Sequence, residues 1–465
     1  MRRGGATHDT DHMTPARRLW RALGARRSLV MADQAVSSLS NVLVTIIVAR
    51  VVTQEEFGAF SVALVAYQLA TGAVRATVGE PYLSVHSTDT GVARAAAAGD
   101  LLRASVVASV LASAVMAVAA LAIGGDAASA LLALAVVFPF LGAQDALRHV
   151  AVVDRPHLAL ASDGVWLAGV GVLVVAAPPD ASAAWFVAAW GIAGVAALGV
   201  ALATMEVPWR GDARRWARDH RGMAGAFLAE TASARAAGQV VQLSLGAIAG
   251  LPALGAVRAA QTFYGPLNTL FAGIYLALVP DGARQRDEPA RLLRFMVAAS
   301  AVVTAGAAVW ALVGVLLPDT WGTAVFGDTW SEAEDVMVPI GLAVIAGSAA
   351  TGAFAGLRSL GAARHSLRAR LWSLPPEVAF ALGGAVLGGA VGYSYGFAAG
   401  NLVMATIWWT TFLAALRHRS GPDAAPGPVA AGAGAAPPPA AASSAAAAPP
   451  VPGAPPARAS WGAPE

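Results

Sequence analysis

Arginines and carboxylates set inside long apolar runs are the residues of this chain that could do chemistry. One run carries Asp33, Ser37, Ser40, Asn41 and Thr45, spaced as one stripe of a helix. A later run repeats the plan with Glu230, Thr231, Arg235, Gly238 and Gln242. Between and after these come Gln68, Thr71 and Arg75, then Arg258, Gln261, Gly265 and Asn268. In hydrocarbon an ionised side chain is costly unless it meets protein, water or a ligand, so such stripes face a bundle interior or a wet cavity. The serines fit the simpler role of small polar glue between helices. Arg235 sits about half a span deep at 1.5 Å per residue, which points to a water-filled cavity. Arg258 is a second candidate for that cavity, while Arg50 and Arg75 lie near span ends, where snorkelling to an interface accounts for them equally well.

The carboxylates leave alternatives open. Asp33 fits either a helix cap or an ion or proton site. Glu230, several residues into its run, fits ion coupling or pairing with an arginine. Asp145 and Arg148 stand three apart on one helix face and are expected to pair with each other. Asp163 reads as a cap near the start of its run, and Glu80-Pro81 as a helix stop. The eight histidines show no metal-ligand spacing, and with no cysteine there are no disulfides or thiolate metal sites. No metal and no cofactor are expected beyond a coupling proton or sodium ion.

The elements that must position these residues follow from composition. At 57% hydrophobic and 13% charged residues, with mean hydropathy +0.61, the chain is too apolar for a soluble protein of its length. Its apolar runs are Ala/Val/Leu/Gly blocks of about twenty residues, the length of membrane helices and twice that of barrel strands. The expected fold is therefore all-α and polytopic, with twelve spans at 30–49, 57–78, 101–123, 128–148, 159–177, 183–203, 223–249, 253–279, 292–317, 335–356, 371–391 and 394–416. The first run follows a basic leader and is long enough to span, so it does not read as a cleavable signal.

All thirty-one basic residues are arginine. They crowd the leader and the even-numbered connections, as in Arg210, Arg214, Arg215, Arg218 and Arg221, or Arg364, Arg368 and Arg370. The odd-numbered connections carry acids instead: Glu55 and Glu56, Asp126, Asp180, and Asp319 to Asp335. The positive-inside rule then puts a multi-pass protein in the plasma membrane with both termini in the cytoplasm. The same asymmetry explains a pI near 9.7 without nucleic acid.

The organisation read from this is a basic leader at 1–29, a six-helix bundle at 30–203, a cytoplasmic linker at 204–222, a second six-helix bundle at 223–416, and an Ala/Pro-rich cytoplasmic tail at 417–465. The tail is too poor in apolar side chains to offset its ordering entropy, and disorder is expected. An offset of 197 residues brings the first two spans onto the seventh and eighth, pairing Asp33 with Glu230, Gly58 with Gly255 and Tyr67 with Tyr264. Both copies run in the same direction, so the expected repeat is parallel, related by a pseudo-two-fold axis along the membrane normal.

Asp33-Gln34, Ser40-Asn41, Ala49-Arg50, the turn Glu56-Phe57-Gly58-Ala59-Phe60 and Gly79-Glu80-Pro81 together resemble the start of the multidrug/oligosaccharidyl-lipid/polysaccharide flippase superfamily, in particular its polysaccharide and lipid-linked oligosaccharide exporters. Gln144-Asp145-Ala146-Leu147-Arg148 and Asp163-Gly164-Val165-Trp166 resemble the fourth-to-fifth span region of such proteins. Gly356-Leu357-Arg358 is the counterpart in the second half. The resemblance covers about residues 30–416, with the E-F-G turn as its most specific piece.

The resemblance implies a V of two bundles that alternates between inward-open and outward-open states, with no enzymatic activity. It implies a polyprenyl-diphosphate-linked glycan or related glycolipid as substrate, for cell-envelope polysaccharide biosynthesis, with glycan-assembly enzymes as partners. Arginine forks suit a diphosphate. The substrate-binding candidates are Arg235, Arg258, Arg75, Arg50, Asn41, Gln242, Gln261 and Asn268. The ion-coupling candidates are Asp33 and Glu230, and the structural or gating candidates Asp145, Arg148, Asp163 and Arg358. The alternatives are a multidrug exporter of the same fold and an integral-membrane polymerase or glycosyltransferase. The largest acidic-side loop, 318–334, has no arginine to serve such an enzyme, and the loop Glu80 to Asp100 lacks the basic motif of major-facilitator carriers.

Overall fold

The computed structural model describes residues 29, 32–33, 36–37, 39–86, 89–208, 210–232 and 237–420. The leader up to residue 28 and the tail from 421 lie outside the described residues. Among the described residues the regular structure is helical, without a strand. The first half comprises α1 (Leu39–Val51), α2 (Gln54–Val85), α3 (Gly91–Ile123), α4 (Gly125–Asp154), α5 (Pro156–Val175) and α6 (Ala183–Thr204). α7 (Ala213–Thr231) leads into the second half: α8 (Ala237–Ala249), α9 (Leu251–Ala283), α10 (Pro289–Val315), α11 (Asp319–Phe326), α12 (Trp330–Ala349), α13 (Thr351–Ser359) and α14 (Ala363–Ser420). α14 is two antiparallel arms that reverse at Gly388 and Gly389.

Among the described residues, seven helices are long and apolar enough to cross a bilayer, which makes this a multi-pass membrane protein. The other expected spans fall on α1, α5, α8 and α9. α3 shows what the lipid side looks like, with Val107, Val110, Leu111, Val115, Val118 and Leu121 all exposed. Two features depart from the expected loops: 204–222 contains the start of α7, and 318–334 folds as α11 and the first turn of α12. Tight reversals between hairpin helices use glycines with positive φ, Gly124 and Gly125 between α3 and α4, and Gly250 between α8 and α9.

The buried core divides unevenly. One continuous cluster runs through the acidic-loop ends of both halves, from Val48 and Phe60 through Leu134 and Trp190 to Leu254, Val257, Trp330 and Ile340. At the arginine-rich end there are two separate clusters. The first, around Leu101, Leu147 and Trp216, belongs to the first half and α7; the second, around Met296, Phe354 and Phe412, belongs to the second half. The molecule is thus joined at one end and split at the other.

The joined end is tight. Gly58 and Gly255 stand where α2 and α9 cross: a methyl on Gly58 would overlap the Leu251 carbonyl, and one on Gly255 would press on Phe57 and the Gly58 backbone. Thr329 donates to the Ala49 carbonyl at 2.9 Å, and the Gln54 amide donates to the Asp328 carbonyl at 3.1 Å. Glu56 accepts from the N–H of Ala183 at 2.5 Å, tying the start of α2 to the start of α6.

Candidate functional site

The polar groups of the first half converge on α4, where Gln144, Asp145, Arg148 and His149 occupy two adjacent faces of one helix. On one face Asp145 receives a fork from Arg75 of α2, with Nη2 to Oδ1 at 2.5 Å and Nε to Oδ2 at 2.9 Å. On the other, Arg148 reaches Asp33 (Nη2 to Oδ2, 2.6 Å) and Asp163 of α5 (Nε to Oδ2, 3.2 Å). The Gln144 amide donates to Asp163 Oδ1 at 3.0 Å and to the Ser162 hydroxyl at 3.1 Å, and Ser162 donates to the Ala197 carbonyl of α6. His149 Nδ1 lies 2.7 Å from the Asp145 carbonyl oxygen.

Three sequence expectations are corrected here. Asp145 and Arg148 do not bond to each other. An exposed pair three residues apart on a helix gains only about 0.2–0.5 kcal/mol, and forming it would leave Arg75, Asp33 and Asp163 buried without these partners. Asp163 is not a cap: it lies in the third turn of α5 and is buried. Glu80-Pro81 does not stop α2, because residues Arg75–Gly79 form a π-helical turn in which the Glu80 N–H donates to the Arg75 carbonyl. That wide turn accommodates the missing N–H of Pro81, and the helix continues to Val85. It also brings Gly79 against the His149 ring, where a side chain would collide.

Asp33 is fully buried and held by Arg148. Arg75 turns inward to α4 rather than reaching for an interface. Beside this network lies a small cleft lined by Ser37, Ser40, Asn41, Tyr67, Asp163, Trp166 and Trp190. Its aromatic wall is ordered by the Trp166 indole donating to the Trp190 carbonyl at 3.0 Å and by Tyr67 standing edge-on to Trp190 at 4.7 Å.

In the second half, Gln242 and Gln261 are buried and joined by a 2.8 Å hydrogen bond between α8 and α9. Arg258 is buried one turn from Gln261. Arg358 is half-buried at the end of α13, and Arg50 is exposed at the end of α1, away from the cleft. Arg235 lies outside the described residues, as do the side chains of Glu230 and Asn268. The structure therefore gathers Asp33, Asn41, Arg75, Asp145, Arg148 and Asp163 into one region, and leaves Arg258, Gln242 and Gln261 in another.

Sequence reasoning missed Gln144 as a hydrogen-bond partner, His149, and the aromatic wall of Tyr67, Trp166 and Trp190. A signal was present: Gln144-Asp145 and Arg148-His149 form a polar string embedded in a long apolar helix, and Trp166 follows Asp163 by one turn.

No model of a protein family matches the sequence, and no curated protein does. Among solved structures, the lipid II flippase MurJ in an inward closed conformation is similar at TM-score 0.62, with 8% identity over 84% of this chain and 90% of that one. The MATE multidrug transporter DinF-BH is similar at 0.52, with 15% identity over 90% and 99%. A transporter of the MOP superfamily from Pyrococcus furiosus, whose binding pocket is described as of reverse polarity, is similar at 0.50, with 14% identity over 84% and 95%. At these identities what is shared is the fold.

Proposed function

We propose that this chain is a flippase that carries a lipid-linked, anionic glycan precursor across the plasma membrane by alternating access. Twelve crossings in two parallel six-helix halves, with both termini cytoplasmic, complete this reading. The observation that carries it is the uneven core, continuous at the acidic-loop end and divided at the arginine-rich end. With the arginine loops facing the cytoplasm, this is the inward-facing form of a two-state carrier, whose outward form requires the Gly58–Gly255 crossing to part.

The MurJ-like fold, ahead of the MATE-like ones in similarity, favours a lipid-linked substrate. The headgroup would meet Arg258 and Arg235 in the second half, with Asn41, Gln242, Gln261 and Asn268 as polar neighbours. The first-half network supplies the coupling element. Asp33, Asp145 and Asp163 pair with Arg75 and Arg148, and His149 stands 3.6 Å from Asp145. Binding of a proton or sodium ion there would loosen the hold of Arg148 on Asp33 and α5. Asp163, which also lines the cleft, is the entry point.

A second reading has its own observation. A carboxylate beside two indoles and a phenol is a receptor for an organic cation, and the cleft has that lining. Purified protein in liposomes separates the two. The flippase reading expects a fluorescent polyprenyl-diphosphate-linked sugar to become accessible to a membrane-impermeant quencher, at a rate abolished by Arg258→Ala. Extrusion of a fluorescent organic cation without lipid translocation would replace it with the exporter reading.

A further inference from the structure

The helix that leads from one half into the other, α7, has two unlike faces. Toward the first half it turns Trp216, which is buried, and His220, which stacks on Trp216 at 4.0 Å and meets His86 at 3.3 Å between Nε2 atoms. Away from it, Arg214, Arg218 and Arg221 follow one another at i, i+4 and i+7, and all three are exposed. The acids of this part of α7 stand off the stripe. Asp212 caps the helix by accepting from the N–H groups of Arg214 and Arg215, and Asp219 falls one turn after Arg215, on that shoulder.

Among the described residues, Arg214, Arg218 and Arg221 form no ion pair, which sets them apart from other arginines at the same end of the molecule. Arg215 is held by Asp100. On the α9–α10 connection Arg284 pairs with Asp281, Arg286 with Asp287 and Arg291 with Glu288. Like charges one turn apart on a helix destabilise it. An anion laid along the stripe relieves that repulsion.

The stripe lies at the depth of lipid headgroups. On α3 the continuous band of exposed apolar side chains begins at Val107. Asp100, which accepts from the Asp212 N–H and pairs with Arg215 to fix the start of α7, precedes that band by about 10 Å at 1.5 Å per residue. The headgroup layer adds about 5–8 Å on each side of the ~30 Å hydrocarbon core, within reach of a long arginine side chain at this level. Along α7 the same stripe continues to Gly225 and Leu228, both exposed. It passes from charge to apolar surface as the helix enters the second half.

We propose that Arg214, Arg218 and Arg221 form a binding surface for anionic phospholipids of the leaflet at the arginine-rich end, which hold the connection between the halves at the bilayer surface. Charge complementarity carries the choice of occupant: arginine forks suit phosphate oxygens, and a basic helical face continued by apolar residues suits an anionic lipid interface. The inference takes from the proposed function only the placement of this end in the membrane interface, and it is independent of what is carried.

The full chain in detergent, titrated with phosphatidylglycerol or phosphatidylcholine and read by native mass spectrometry, tests it. Each arginine near an anionic lipid surface contributes about fivefold in affinity, so Arg214→Gln/Arg218→Gln/Arg221→Gln should weaken phosphatidylglycerol binding by about tenfold or more. Phosphatidylcholine binding should not change. Arg284→Gln/Arg286→Gln/Arg291→Gln removes the same charge from arginines that already have acids beside them, and should change little. Equal binding by the wild type and the α7 variant would overturn the proposal and leave this face to an acidic protein segment. An equal loss in both variants would overturn it in favour of diffuse charge. A second measurement needs no variant: phosphatidylglycerol vesicles should shield the three arginines from phenylglyoxal better than phosphatidylcholine vesicles do, read by peptide mass spectrometry. Equal modification in the two would be decisive against it. Lost transport of the lipid-linked sugar with this binding intact would count against the flippase reading alone.

Discussion

The two halves bury their polar groups differently. Around α4 the first half holds five charged side chains in direct ion pairs that connect Asp33, α2, α4 and α5. At the α8–α9 hairpin the second half holds an amide pair, Gln242 and Gln261, close to Arg258. An amide pair pins two neighbouring helices and is indifferent to ions. Arg148, in contrast, is divided between two carboxylates on different helices, so a charge change at either one alters which helices it holds together. Under the proposed function, the first half would respond to a cation and the second would move as a body.

The largest effect that follows is at Arg148. Arg148→Ala leaves Asp33 and Asp163 buried without their cation, and breaking a buried pair this way costs about 3–5 kcal/mol. Thermal unfolding in detergent should show a large drop, and transport should vanish. Replacing the trio by Arg148→Met, Asp33→Leu and Asp163→Leu should restore most of the stability and none of the transport. If the single variant unfolds like the wild type, the contrast between the halves is wrong.

Next comes the joined end. Gly58→Leu inserts a side chain into the Leu251 backbone at the α2–α9 crossing, and overpacking of this kind costs about 1–3 kcal/mol. Its sharper readout is conformational: cysteines placed near this seam, in a chain that has none of its own, should become more reactive to a water-soluble maleimide. Gly164→Ala, where nothing stands in the way of a methyl group, should leave both measures unchanged.

The crossing also shows what the sequence can reveal. The E-F-G turn is visible because each residue meets a strict demand: Glu56 binds a helix N-terminus, Phe57 is buried, and Gly58 admits another backbone. The helices are legible from apolar run length, and the arginine-rich ends from charge. The pairing of Asp145 is not, because helical spacing offers Arg148 as a partner while the true one, Arg75, lies 70 residues away and is aimed by a π-helical turn with no sequence signature of its own. Asp163 reads as a cap because its helix begins at Pro156, earlier than the apolar run does. His86 and His220 meet only because α7 folds back on the first half, which composition cannot foresee.

The Arg75–Asp145 fork gives an intermediate effect. A double-mutant cycle with Arg75→Ala and Asp145→Ala should return a coupling of about 0.5–3 kcal/mol, with the double variant more stable than the sum of the singles allows. A coupling near zero would mean that the fork does not hold α2 to α4.

The last contrast belongs to the second half and tests its rigidity. Gln261→Leu leaves the Gln242 amide buried without its acceptor, at a cost of about 1–3 kcal/mol, whereas a hydrogen bond lost with both partners is worth only about 0.5–1.5 kcal/mol. The double variant Gln242→Leu/Gln261→Leu should therefore unfold at a higher temperature than either single one. Its transport should keep the wild-type dependence on pH and sodium, since no charge has been touched and the cation-responsive pairs lie in the other half. A shifted ion dependence in this double variant would place the coupling in the α8–α9 hairpin and reverse the assignment of roles to the two halves.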